Sequence, residues 1–253
     1  MELGTRKLEA IDVQGGVAHL PGPPVLEVAL RRSGRARRLS LRVSGLDGRA
    51  TLTMPLRFPQ AEALGFLRDK EAWLRQALDR VPVRQLMAPG REVLYQGRRI
   101  QVREGPGRQI RVVEDALVVP RDATGTRTGA RVEAFLKTSA RAALLPAVEE
   151  YAGRLGRTAQ AVSLRDTRSR WGSCTADGRL MFSWRLIMAP PEVLRYVAAH
   201  EVAHLAHMDH SRAFWACVGR LMPDYGAHRH WLREHGAQLH SYCFRARSAA
   251  ESG

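Results

Sequence analysis

A chain of 253 residues with 45% hydrophobic and 26% charged residues has the composition of a soluble globular protein, one large domain or two small ones. No run approaches the ~20 apolar residues that span a bilayer, residues 1–16 hold no apolar signal core, and three scattered cysteines (Cys174, Cys217, Cys243) suit reduced thiols in a cytoplasmic protein, not a disulfide scaffold. The formal net charge of +15 comes almost wholly from arginine, since lysine stands only at 7, 70 and 137; it suits an acidic partner such as nucleic acid or nucleotide, and equally a merely solvated surface.

Residues 1–24 read as a flexible arm ending in Pro21-Gly22-Pro23-Pro24. Alternating apolar residues predict strands over 25–30, 39–43 and 50–54, with turns at Ser33-Gly34 and Asp47-Gly48, and the simplest pairing is a three-stranded antiparallel meander. The densest basic run, Arg31, Arg32, Arg35, Arg37 and Arg38, falls here. Pro59 opens a helix to about Arg80 with Leu64, Leu67, Leu74 and Leu78 on one side. Short strands are predicted over 92–95, 98–103, 109–113 and 116–119, and the Thr/Gly-rich stretch 121–129 marks a boundary. The region 25–126 thus reads as a β-rich accessory region with one helix.

A long helix follows from about Ala130 to Leu155, which Pro146 should kink or split. Strands over 162–165 and 179–186 enclose the loop Trp171-Gly172-Ser173-Cys174. Pro190-Pro191-Glu192 starts another helix, Ser211 caps a short one to Leu221, and Asp224 caps a last one to Leu239. Residues 243–253 read as a disordered tail.

The stretch 200–210 reads His-Glu-Val-Ala-His-Leu-Ala-His-Met-Asp-His and contains H-E-x-x-H. On a helix, His200 and His204 stand one turn apart on one face, so both imidazoles can grip one metal ion, and Glu201 can take a proton from water held there. Zinc suits neutral imidazole donors, but a catalytic site needs a third ligand. His207 lies far along the same face. His210 would reach back only if the helix ends near Met208-Asp209, which gives the spacing H-E-x-x-H-x-x-G-x-x-H with His207 in place of glycine. A carboxylate such as Glu234, or no metal at all, are the other readings.

The motif has an ordered setting: Arg170-Trp171-Gly172-Ser173-Cys174, Phe182-Ser183-Trp184-Arg185-Leu186, Ala189-Pro190-Pro191, Tyr196-Val197, then H-E-x-x-H, His210-Ser211, Phe214-Trp215 and Pro223-Asp224-Tyr225. This string resembles the YgjP-like metallopeptidase family, a domain of unknown function placed among the M48-like metallopeptidases, and is more distantly similar to the SprT and WLM zincins. The strong match covers about 165–240, with a weaker one back to about 25. The resemblance implies an α+β fold, a zincin-like metallopeptidase domain over 127–242 with an active-site helix and a small antiparallel sheet. It implies one zinc ion on His200, His204 and His210, with Glu201 as base. In such folds a strand bordering the cleft pairs with an extended peptide, and 180–186 is the expected edge.

Around that centre, Arg170, Trp171, Gly172, Ser173 and Tyr225 are candidate substrate-binding residues, with Tyr225 a candidate oxyanion donor. Cys174 as a nucleophile lacks a placed base. The function expected is a zinc-dependent hydrolase of peptide bonds, using zinc-bound water activated by Glu201, with a peptide or protein substrate and no membrane partner. Two rivals stand beside it. One is a metal-dependent nucleotide phosphoanhydride hydrolase, which lacks a G-x-x-x-x-G-K cradle. The other is a nucleic-acid-associated protein with a structural zinc, which would have no use for Glu201.

Overall fold

The structure is a computed structural model and describes residues 10–122, 124 and 126–245. The arm residues 1–9 and the tail residues 246–253 lie outside the described residues. The chain forms two compact units, residues 1–82 and 83–253.

The first unit holds β1 (Asp12–Gln14), β2 (Val17–Leu20), β3 (Leu26–Ser33), β4 (Ser40–Val43) and β5 (Ala50–Pro55), then α1 (Gln60–Asp69) and α2 (Glu71–Asp79). Residues 12–14 and 17–20, read in sequence as loose arm, form a hairpin, with Gly15 and Gly16 at positive φ in its turn. The five strands run in the order β1-β2-β3-β5-β4, and β3 pairs with β5 in parallel. The expected meander is therefore wrong. Burial explains the order: Leu26 and Val28 of β3 and Ala50, Leu52 and Met54 of β5 are core residues, whereas β4 alternates only between half-buried and exposed and takes the edge. The expected single helix breaks at Lys70, whose ψ of 5° leaves the α region, but Ala63, Leu67 and Leu74 still seal the sheet. Within the basic run, Arg32 donates to the carbonyls of Leu56 and Phe58, so part of that charge braces the fold.

The second unit opens with β6 (Gln85–Leu86), β7 (Glu92–Tyr95), β8 (Arg98–Gly105), β9 (Arg111–Val113) and β10 (Ala116–Pro120). Then come α3 (Thr128–Leu155), β11 (Ala161–Arg165), β12 (Gly172–Cys174), β13 (Arg179–Ser183), a 3-10 turn (Trp184–Met188), α4 (Pro191–Ala203), α5 (Arg212–Leu221), α6 (Tyr225–Leu239) and β14 (Tyr242–Cys243). Residues 83–120, grouped in sequence with the accessory region, are tied into this unit by backbone bonds. The β7–β8 turn donates from Gln96 and Gly97 to Ile187 and Met188, and β6 pairs with β14, where the tail was expected to begin.

α3 runs unbroken through Pro146. Pro146 and Ala142, whose carbonyl it leaves without its helical donor, are both exposed residues, so the helix meets water where that bond is lost. The small sheet has the order β11-β13-β12 and is mixed: β13 pairs parallel with β11 and antiparallel with β12. Residues 180–183 therefore occupy the centre of the sheet and 184–186 a 3-10 turn, so the expected edge is wrong; β12 and β11 are the edges. Phe182 and Leu180 are fully buried, which explains why β13 sits inside.

α4 is apolar nearly all round. Val193, Leu194, Val197, Ala198, Ala199, Val202 and Ala203 are buried, and α3, α5, α6 and β12 pack against it. It ends at Ala203, five residues before the expected stop. Leu205 and Ala206 donate to carbonyls three residues back, a tight last turn with no Gly or Pro. Among the described residues, no helix is long and apolar enough to cross a membrane.

Candidate functional site

The early end of α4 is what assembles the site. His200 leaves from its last turn, His204 is its C-cap, and the chain doubles back so that His210 faces both. Ligand nitrogens of these three residues lie within 4.8 Å of one another. The Nε2 atoms of His200 and His210 are 3.2 Å apart. Two nitrogens each about 2.0–2.1 Å from one tetrahedral zinc would stand roughly 3.3 Å apart, so the spacing suits a shared cation. Neither His207 nor Glu234 joins the group.

Packing fixes the three rings. Phe214 of α5, fully buried, touches all of them, with centroids 4.4 Å from His204, 4.8 Å from His210 and 4.9 Å from His200. Ser211 caps α5 by accepting from the Phe214 amide, which holds that phenyl in place. His204 Nδ1 lies 2.9 Å from the His207 carbonyl and can only donate to it, which leaves Nε2 with the free lone pair. Burial, then repulsion from His204 and His210, pushes His200 down to about 3, and burial lowers His204 too. Neutral imidazole is the form that binds metal.

Glu201 is only 5% exposed and lies under β12: a Cβ built on Gly172 would stand 2.5 Å from its Oε1. Burial pushes its carboxyl up to about 8, while the nearby Arg170 guanidinium pulls it down. A cavity of about 350 Å³ opens beside it, lined by Arg170, Trp171, Gly172, Tyr196, Val197, His200, Glu201, Arg229, Leu232 and Arg233. The candidates Arg170, Trp171 and Gly172 thus meet at one wall. Ser173 and Tyr225 do not line it. Ser173 pairs with Met181, and Tyr225 stacks on Tyr196 and Trp215, with centroids 6.4 Å and 5.5 Å away. Sequence reading missed Tyr196, Arg229 and Arg233; the i, i+4 spacing of the two arginines on α6 was the available signal.

The loop before β12 is anchored from below. Arg185, 8% exposed, donates to Asp166 and to the carbonyls of Leu239 and Tyr242. Trp171 packs against His240 with tilted rings, centroids 4.9 Å apart. Asp224 does not cap α6 with its side chain; it meets His228 Nε2 at 3.2 Å instead. Cys174 is pushed up to about 11, by burial first and then by the Glu201 and Asp177 charges, so its thiol stays protonated.

His240 gives the unit a pH dependence. Burial, then the Arg185 charge, lowers it to about 4, below the ~6.5 of an unfolded chain. The unfolded chain therefore takes up this proton first. The contribution is fully present above about pH 6.5 and is lost as pH falls through about 4, at most roughly 3 kcal/mol. Urea midpoints of the parent and His240→Gln at pH 8 and 4.5 should show the parent losing more stability on acidification. Equal losses would absolve His240.

Residues 37–235 match the YgjP-like, metallopeptidase domain family. No curated protein matches the chain. Among solved structures it is similar to the metallopeptidase zymogen of Pyrococcus abyssi abylysin, at 20% identity and a TM-score of 0.33, over 36% of this chain and 93% of that one. That likeness is too slight to build on, whereas the family match takes in both the β12 wall and the histidine cluster of a single α+β unit, and with it the chain belongs to the YgjP-like metallopeptidases.

Proposed function

We propose that this chain is a zinc-dependent peptidase in which His200, His204 and His210 hold one zinc ion and Glu201 is the general base. One observation carries the reading: three imidazoles converge beside a buried carboxylate at the wall of a cavity. Bound zinc would supply a Lewis acid for water and carbonyl oxygen, and a positive charge that favours the carboxylate form of Glu201. Glu201 takes the proton of the attacking water and passes it to the leaving amine. Burial makes it a stronger base than a solvated carboxylate, while the Arg170 charge opposes its protonation.

The free edge of β12 supplies the peptide's track. Trp171 and Thr175 bond to Ser183 and Arg179, so by antiparallel alternation Ser173 also faces β13, and the backbone groups of Gly172 and Cys174 point outward. An extended peptide can add there as a strand. Trp171 and Tyr196 give it apolar walls, and Tyr225 buttresses Tyr196 from behind.

Purified full-length protein is expected to carry one zinc per chain and to cleave casein in a reaction that a chelator stops and zinc restores. His210→Ala should bind zinc far more weakly. His207→Ala should keep it, since the backbone carbonyl that orients His204 survives the change. The reverse pattern would break the ligand assignment. Zinc-loaded protein inert on casein and on unstructured peptides would break the peptidase reading.

A further inference from the structure

Three guanidiniums surround the cavity beside Glu201. Arg170 comes from the loop before β12, and Arg229 and Arg233 come from one face of α6. Elsewhere in this unit arginines find carboxylates: Arg179 with Asp177, Arg185 with Asp166, Arg195 with Glu150. Among the described residues, none of the three cavity arginines forms an ion pair. Arg229 is nevertheless positioned, its guanidinium 4.6 Å from the centre of the Trp215 ring.

Glu201 is the only carboxylate among the lining residues, and it does not answer this charge. Arg170 stands at the same wall as Gly172, whose Cα lies against Glu201. Arg229 and Arg233 line the cavity from α6, and the lining residues offer them no second carboxylate. Val197, Leu232, Trp171 and Tyr196 add apolar surface beside them. That combination fits an aliphatic stem ending in a carboxylate, which a guanidinium can grip through two parallel hydrogen bonds.

We propose that the cavity selects peptides carrying an acidic side chain, glutamate above all, near the scissile bond, with Arg229 and Arg233 as its partners and Arg170 shared between that carboxylate and Glu201. This rests on the peptidase reading above. The cavity's charge then sets specificity, while the histidines and Glu201 perform the chemistry.

The test uses zinc-loaded full-length protein and matched, C-terminally amidated quenched-fluorescent peptides that differ only by Glu against Gln at one position in turn. At one or two positions the Glu peptide should be cleaved with a kcat/KM about tenfold to a hundredfold higher, the range expected for hydrogen bonds to a charged group. In Arg229→Ser/Arg233→Ser that ratio should fall toward one, and in Arg229→Glu/Arg233→Glu the preferred residue should become Lys. Peptide cleavage with equal Glu and Gln rates, or a preference the double variants leave unchanged, would overturn this proposal and leave the peptidase reading standing. A preference that appears only with a free C-terminal carboxylate, or ATP displacing the Glu peptide more strongly than its Gln twin does, would assign the arginines to another anion and also overturn it. No cleavage of any peptide or of casein would defeat the peptidase reading itself.

Discussion

Glu201→Gln is expected to keep the fold and the zinc while losing about 10²–10⁴-fold of its turnover, the usual contribution of a general base. The amide is nearly isosteric with the carboxyl, so the packing under β12 is preserved. It cannot accept the proton of the attacking water or return one to the leaving amine. Stability should hold or rise, because the variant no longer buries a group whose charged form is penalised, as the carboxyl pushed up to about 8 records. Metal content, melting temperature and casein hydrolysis measured on one preparation check all three points. Turnover within about tenfold of the parent would remove Glu201 from the chemistry.

The parts of this site legible in the sequence are those encoded by short spacing. H-E-x-x-H places two imidazoles and a carboxylate by helix geometry alone, and it did so here because α4 is regular through Ala203. The third histidine was one of several options, since its approach depends on where the helix stops. The residues 203–207 carry no breaker; the stop coincides with a local bond between the His204 imidazole and the His207 carbonyl, a side-chain contact that propensity does not encode. Arg229 and Arg233 lie more than 20 residues beyond the motif, and only the packing of α6 against α4 puts them on its cavity.

Strand order was lost for a related reason. Alternation of apolar residues tells which face of a strand is buried, not which strand is its neighbour. β3 and β5 read the same in a parallel or an antiparallel pair, and 179–186 looked like an edge although Leu180 and Phe182 on both sides of Met181 are fully enclosed. The edge that lies over Glu201, β12, is three residues long with a glycine at its head, too short for a periodic signal. Its importance becomes visible only from what lies beneath it.

That contact yields the second large effect. Gly172→Ala is expected to cost on the order of 10²-fold in kcat/KM, the scale of a roughly 1 Å displacement of a reacting group. A Cβ at residue 172 would stand 2.5 Å from Oε1, 2.6 Å from Cγ and 2.7 Å from Cδ of Glu201, all well inside normal contact. Gly172 has no positive φ, so the backbone itself tolerates alanine; the glycine is needed for close approach alone. Either β12 lifts or the carboxylate moves, and the enclosed Glu201 has little room to do so without leaving the histidine cluster. Overpacking of this kind also costs about 1–3 kcal/mol of stability, while the three imidazoles, oriented by Phe214 and His207, should still bind zinc. A double-mutant cycle separates the two routes. If Gly172 acts through the base, adding Gly172→Ala to Glu201→Ala should change residual turnover little, because the side chain it displaces is gone. A full further loss in the double variant would mean that the edge strand, and the peptide it carries, is what the methyl group disturbs, and Gly172→Ala with unchanged turnover would show that Glu201 need not sit where β12 presses it.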